Sequence, residues 1–169
     1  MNEPTDDTPT NDTPTQGGPA IERNAVQRIT AMLQHDASGW QLLGLLPEPG
    51  DHEGPPRRRL VRDADDMKIY QWHGLPLRLL PDQTDDYYFN LTSPRPTLYL
   101  ICQPDADGAP QPLRVSADQD DAVAAVEMDE LLLQAPMPGS IVEWLKLYVE
   151  THWTPGPRKN RRKPNERKP

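Results

Sequence analysis

An amphipathic helix close to the C-terminus is the feature that most constrains how this chain folds. Residues 140–143 form a capping-box sequence, Ser-Ile-Val-Glu, in which Ser140 bonds the backbone N–H of Glu143 while the Glu143 carboxylate returns to the cap. This pattern predicts a helix that starts at Ser140. One side of the helix carries residues that recur at helical spacing, namely Ile141, Leu145, Tyr148 and His152. Such a helix has to dock on a core supplied by the rest of the chain.

Two terminal segments of opposite charge flank the part of the chain that can build this core. Residues 1–19 carry four acids and no base, repeat a Thr-Pro pattern, and are predicted to be a disordered acidic leader. Residues 158–169 carry seven bases and one acid, which predicts a disordered basic tail over residues 156–169. Because the net charge is −8, residues 20–157 carry −10. The sequence therefore predicts one acidic domain over residues 20–155.

Short stretches with a β pattern run through this domain. Strands are predicted at residues 40–46, 67–72, 75–80, 86–91, 97–103, 113–116 and 131–133. An Asp-Ala-Asp-Gly turn at 105–108 connects two of them, since Asp-Gly tolerates the positive φ of hairpin turns. A short helix with an acidic first turn is predicted for 117–128, and a long loop for 47–66. Residues 21–35 fit either a helix or a strand.

The order of these elements predicts an α+β fold. Runs of strands with the helices gathered late in the chain favour a mostly antiparallel β-sheet or open barrel, closed by the C-terminal amphipathic helix. Aromatic residues make up only 6% of the chain and 21 residues are proline, so the central segment has to supply most of the buried surface.

Cysteine content and hydropathy bear on the compartment and on the kinds of site that the chain can build. The single cysteine, Cys102, excludes an internal disulfide and a cysteine-cluster metal site, and no cofactor is predicted. The N-terminus lacks the cationic start and apolar segment of a secretory signal. No run reaches the roughly 20 apolar residues of a membrane span. We therefore expect a cytoplasmic protein.

Cationic residues are the main candidates for partner binding. In the tail they are Arg158, Lys159, Arg161, Arg162 and Lys163, and in the predicted loop they are Arg57, Arg58 and Arg59. A flexible polycation binds acidic protein surfaces or phosphate through weak, salt-sensitive contacts. A merely solvated terminus explains the tail about equally well. No aromatic residues interleave the tail cations, which disfavours stacking on nucleic-acid bases.

A polar turn is the second candidate. Asn90, Thr92 and Ser93 follow the predicted strand at 86–91 and offer amide and hydroxyl groups to a ligand. Local bonding of these side chains to the backbone of a turn is the favoured explanation, with Pro94 ending the strand. Cys102 lies among apolar residues, where a thiol acts as a small hydrophobe with a raised pKa.

The histidines and acidic residues are weaker candidates for a functional site. The four histidines show no metal-ligand spacing, and the aspartate clusters fall in predicted loops or at a helix start, where solvated charge is the ordinary explanation.

Several short motifs together resemble a known bacterial family. They are the Asn-Leu-Thr-Ser-Pro stretch at 90–94, the strand after it, an acidic helical segment, Pro-Met-Pro at 136–138, and a helix with Trp144 followed by a basic tail. The chain resembles, from about residue 25 to 163, an uncharacterised domain family encoded beside molybdenum-dependent formate dehydrogenase and its maturation genes. The resemblance implies a strand for residues 25–34 and no enzyme mechanism. Some members are labelled as related to molybdopterin-dinucleotide synthesis, but this chain has neither glycine-rich phosphate motif.

Three functional hypotheses follow. The first, which rests on the resemblance, is an accessory protein that binds a protein partner and assists assembly or maturation of a molybdenum-dependent formate dehydrogenase. The second is a nucleic-acid-associated protein that binds through its basic tail, although the acidic body would repel phosphate. The third is a small enzyme with a site assembled from dispersed residues such as His73, Asn90 and Asp86. The sequence favours binding over catalysis.

Overall fold

The computed structural model describes residues 21–50 and 54–153. The strands within these residues are β1 (Val26–Asp36), β2 (Gly39–Pro47), β3 (Arg57–Ala64), β4 (Met67–Arg78), β5 (Thr97–Pro104), β6 (Pro110–Ser116) and β7 (Leu131–Pro136). The helices are α1 (Thr84–Thr92), α2 (Gln119–Glu127) and α3 (Gly139–His152), and a 3-10 turn, Pro81–Gln83, leads into α1. The predicted leader and tail lie outside the described residues.

The strands form one mixed sheet that nearly closes into a barrel. Its order is β2-β1-β4-β6-β5-β7, and β3 pairs with β4 beside this path. All pairs are antiparallel except β4 and β6, which pair in parallel at Leu77 and Val115. The end strands β2 and β7 lie close to each other. The structure is thus mostly β-sheet with three helices, and the sheet is mixed through one parallel pair, while the other pairs are antiparallel, as the sequence predicted for most of the sheet.

Two predicted elements are wrong. The loop expected at 47–66 contains β3, whose residues are almost all exposed, so no alternation of apolar and polar residues marks it as a strand. The strand expected at 86–91 is helix α1, which buries Tyr87 and Asn90 at helical spacing. In both segments tertiary contacts outweigh the local pattern.

Other predicted elements are confirmed. Residues 26–36 form a strand, as the resemblance implies, and the turn at 105–108 joins β5 to β6. Helix α2 begins after Asp118, whose carboxylate accepts a bond from the backbone N–H of Asp120 at 2.8 Å.

Helix α3 docks on the core as its pattern predicts. Ile141, Leu145 and Tyr148 are at most 1% exposed and pack among the leucines of the sheet. The Tyr148 hydroxyl donates to the carbonyl of Arg23, which ties the segment before β1 to the helix. The expected capping box is wrong, however, because the helix begins one residue earlier, with Pro138 as its cap residue and no side-chain cap bond. None of the described helices has the length and apolar character needed to cross a membrane.

Strand β4 changes partners at Gly74. Before this glycine β4 pairs with β3, and after it β4 meets β6. Gly74 has φ of +77°, a conformation that residues with a Cβ rarely adopt. Its N–H donates to the Glu48 carboxylate at 2.7 Å, and its carbonyl accepts a bond from the Arg28 guanidinium at 3.1 Å. The bend is therefore held by bonds from β1 and from the residue that follows β2.

Replacing Gly74 with alanine should lower the free energy of unfolding by about 1–2 kcal/mol, the cost of a left-handed backbone for a residue with a Cβ. Space does not limit the change, since the nearest atoms to an added Cβ lie 3.8 Å away. Gly44→Ala in β2 is the matched control, because that site has open space and no positive φ, and it should stay within about 0.5 kcal/mol of wild type. Urea denaturation of both variants measures the difference. Equal stability of the two would contradict the assigned strain.

Candidate cation–aromatic surface

Pairing of β3 with β4 places arginines beside aromatic rings. Arg58 lies directly opposite Trp72, and Leu60 lies opposite Tyr70. The Arg58 guanidinium carbon is 5.3 Å from the centre of the Tyr70 ring and 6.0 Å from that of the Trp72 ring. Each contact at such an exposed position is worth about 0.5–1 kcal/mol. The two rings therefore hold Arg58 in one orientation without covering it.

The aromatic row continues across β4 onto β1 and β2. Trp40 lies 5.5 Å from Tyr70, centre to centre, and stacks on His35 at 4.6 Å. Trp40 and Trp72 are half-buried against the core, which fixes the positions of their rings. We call the set His35, Trp40, Arg58, Tyr70 and Trp72 the cation–aromatic surface. It presents flat apolar rings next to a cation, an arrangement that suits carboxylates, phosphates and planar groups.

The other arginines predicted for partner binding in this segment lie on the same strand but outside this surface. Strand alternation puts Arg57 and Arg59 on the face of β3 opposite to Arg58. Arg62, which the sequence analysis did not single out, is a fourth exposed cation on the same strand. The sequence analysis also missed the aromatic partners, although the alternation of Tyr70 and Trp72 was visible in β4. The tail candidates, Arg158, Lys159, Arg161, Arg162 and Lys163, lie outside the described residues.

A polar cluster occupies the opposite face of the sheet, at the Gly74 bend. The Thr30 hydroxyl donates to a Glu48 carboxylate oxygen at 2.6 Å, and the Nδ1 atom of His73 lies 3.1 Å from the same hydroxyl. His73 Nδ1 is also 3.5 Å from the Glu48 carboxylate. These bonds tie the end of β2 to β1 and β4. Thr30 is only 5% exposed, and its hydroxyl already bonds the Glu48 carboxylate. The geometry therefore favours a structural role for this cluster.

The predicted polar turn is part of helix α1 and its C-terminus. Asn90 is 9% exposed, and its amide nitrogen donates to the carbonyls of Thr97 at 2.8 Å and Ala117 at 2.7 Å. Its oxygen accepts a bond from the N–H of Thr97 at 2.9 Å. Thr92 bonds back to the carbonyl of Tyr88 at 2.9 Å. Ser93 caps the helix, and its hydroxyl is buried without a partner among the described residues. All five side-chain bonds of Asn90 and Thr92, including one from Thr92 to the carbonyl of Phe89, go to backbone groups, so turn chemistry explains them.

Of the three residues named for a dispersed enzyme site, Asp86 and Asn90 lie one turn apart on α1, whereas His73 belongs to a different network. His73 bonds within the Gly74 bend, whereas Asn90 joins α1 to β5. Asp86 lies on α1, and burial raises its pKa, with further contributions from the negative charges of Asp118, Asp120 and Asp85. Among the described residues no group of three potential ligands is arranged to hold a metal ion. Burial raises the pKa of the Cys102 thiol to about 12, as expected for a structural cysteine.

Of three surface clefts lined by described residues, two are larger than about 200 Å³. The larger, about 580 Å³, is lined by Arg23, Pro81, Asp82, Thr84, Asp85 and His152. The smaller, about 350 Å³, is a mainly apolar groove between α2 and β7. Neither cleft contains a residue of the cation–aromatic surface or of the predicted polar turn. The cation–aromatic surface is therefore the best-built candidate for recognition.

Asn90→Ala should lower the free energy of unfolding by about 2–4 kcal/mol, because it leaves two carbonyls and one N–H without their partner at a buried junction. Thr92→Ala removes an exposed hydroxyl that bonds two carbonyls of the same helix and should cost less than about 1 kcal/mol. Chemical denaturation compares the two. A small effect of Asn90→Ala would show that the side chain has no such joining role.

The pH dependence of the free energy of unfolding should reveal the raised pKa of the buried Asp118 carboxylate. Burial raises its pKa, against the opposing effect of the bonds it accepts from Asp120 and Asp121. A raised folded-state pKa means that Asp118 stabilises the fold at low pH and loses this contribution as the pH rises from the ordinary aspartate pKa of 3.8 through the folded-state pKa. Asp118→Asn keeps the cap without ionising, so its stability relative to wild type should increase with pH over this range.

Asp118→Ala serves as the control for the cap. It should be about 1 kcal/mol less stable than Asp118→Asn throughout, because it lacks the cap bond. Thermal or urea unfolding between pH 3 and 7 gives both curves. A flat or falling difference between Asp118→Asn and wild type would refute the raised pKa.

Comparison with known proteins agrees with the extent of the resemblance. A family model described as a protein of unknown function (DUF3305) matches residues 25–163. No curated protein and no solved structure matches the chain. An uncharacterised domain family over this range is thus confirmed, while the neighbourhood of formate dehydrogenase genes stays a prediction. Since the matched segment covers most of the sequence, the chain belongs to the DUF3305 family of proteins of unknown function.

Proposed function

We propose that this protein is a cytoplasmic accessory protein that binds an acidic segment of a partner protein through the cation–aromatic surface. The observation that carries the proposal is Arg58, held over Tyr70 and Trp72 on an exposed strand. Arginine and aromatic side chains are the residues that most often dominate binding energy at protein interfaces. The rings are already oriented, so little side-chain freedom is lost on binding.

The partner we propose is a molybdenum-dependent formate dehydrogenase or its maturation machinery. This identity rests on the family resemblance alone. In the proposal the sheet and α3, which we take to close the barrel, form a rigid platform. The basic tail at residues 156–169 adds long-range attraction for an acidic partner surface. The chemistry of formate oxidation stays with the partner.

Nucleic acid is the second candidate, and one observation favours it. Arginine beside stacked aromatic rings is the usual platform for single-stranded bases. The charge balance opposes it, because the chain carries a net charge of −8 and acidic residues populate α1 and α2. One cation of the strand pair is also already neutralised, since Lys68 bonds Asp63 at 3.2 Å. An acidic protein segment needs fewer cations than a phosphate backbone does and fits this balance better.

An affinity pull-down from the native host, with identification by mass spectrometry, tests the proposal. Full-length protein should enrich formate dehydrogenase subunits or molybdenum-cofactor proteins at moderate salt. Arg58→Ala should reduce their recovery about tenfold, the usual effect of removing a central interface arginine. A version lacking residues 156–169 should also recover less.

Arg95→Ala is the matched control, because Arg95 is an exposed arginine on the loop between α1 and β5. It should behave as wild type. Equal recovery with Arg58→Ala and Arg95→Ala would reject the cation–aromatic surface as the binding site. Salt-sensitive recovery of nucleic acid without these proteins would replace the proposal with the second candidate.

A further inference from the structure

Strand β3 has an open edge. In the part of the chain that the structure describes, its only neighbouring strand is β4. In an antiparallel pair, alternate residues turn their backbone N–H and C=O groups away from the partner strand, so about four of the eight residues of β3 direct these groups outward. Seven of its residues are exposed. The outward groups are therefore open to pair with an added strand.

Charge decides which strands the open edge can accept. Arg57, Arg58, Arg59 and Arg62 lie on β3, and the one acid, Asp63, is paired with Lys68. Alternation distributes the arginines over both faces of the strand. A second copy of β3 would bring four further arginines against these, and like charges on adjacent strands are destabilising. Charge complementarity selects an acidic segment instead.

Apolar side chains on β3 refine the chemistry of that segment. Leu60 and Val61 are 44% and 50% exposed, and Leu60, opposite Tyr70, lies on the same face as Arg58, while Val61 is the extra residue where the register shifts. The Arg58 guanidinium lies over Tyr70 and Trp72 of β4, on the same face as Leu60. An added strand would therefore meet cations on both faces and exposed apolar side chains beside them. A sequence in which acidic and apolar residues are mixed satisfies both.

We propose that β3 accepts an extended acidic segment of another protein as an additional β-strand. This inference rests on the proposed binding function and specifies its mode: backbone hydrogen bonds along β3 give affinity, and the arginines with the cation–aromatic surface select the acidic side chains. Binding by surface charge alone needs no backbone pairing, so the two modes give different results for peptides of equal charge.

Two blocked, fluorescein-labelled peptides about as long as β3 provide the test. One alternates Glu and Val, and the other alternates Glu and Pro, which preserves the charge but removes backbone N–H groups needed for pairing. Fluorescence anisotropy with the full-length protein should show at least about tenfold tighter binding of the Glu-Val peptide. Arg58→Ala should weaken this binding about tenfold, and Arg95→Ala should leave it unchanged.

Hydrogen exchange measured by mass spectrometry locates the pairing. The Glu-Val peptide should slow exchange in residues 57–64, with no comparable change in α2 or β7. Equal binding of the two peptides, or binding without protection of β3, would overturn strand addition while leaving the proposed binding function intact. Absence of binding by either peptide would also overturn it, and the Arg58-dependent pull-down would still decide the proposed function separately. If the pull-down does not recover the proposed partner while the peptide assays show strand addition, the identity of the partner is rejected and the binding mode is retained.

Discussion

Backbone pairing along β4 is the interaction on which the rest of the structure depends. This strand pairs with β1 on one side and with both β3 and β6 on the other. Two different partners on one edge require a change of direction between them, and Gly74 supplies it through a backbone conformation open mainly to glycine. Glu48 and Arg28 bond to Gly74 from neighbouring elements, so the bend is built into the tertiary structure and is not a property of a free strand.

The candidate surface is a consequence of this arrangement. The register of β3 on β4 sets Arg58 opposite Trp72, and the register of β1 with β2 and β4 brings Trp40 next to Tyr70. A shift of one residue in the β3 register would move Arg58 to the other face, away from both rings. The surface therefore depends on backbone register more than on any single side chain.

Asn90 and His73, which the sequence suggested as parts of a site, serve the fold instead. Asn90 joins α1 to β5 and to the start of α2, and Thr30 with His73 and Glu48 secures the Gly74 bend. Buried polar groups such as these must find partners, because an unsatisfied one costs about as much as a lost hydrogen bond or more. The described surface also presents a cation among oriented aromatic rings, an arrangement that suits binding of a partner.

The sequence by itself determined the elements whose patterns are local. Helix α3 has one apolar side, an Asp-Gly turn joins β5 to β6, and α2 begins at a capping aspartate. These elements were predictable because the pattern that specifies each of them lies within a few residues. Helix α1 was misread because Tyr87, Tyr88 and Phe89 favour strands locally, while contacts with α3 and β5 make the segment helical.

Only the tertiary structure decided the nature of β3 and of the surface beside it. A strand exposed on both faces has no hydrophobic alternation, so the arginines at 57–59 carried no sign of a strand until β4 paired with them. Their aromatic partners come from a different strand, whose register no local pattern reveals. Amphipathic helices and strands can therefore be predicted from the sequence, whereas the contact of Arg58 with Tyr70 and Trp72 depends on long-range strand pairing.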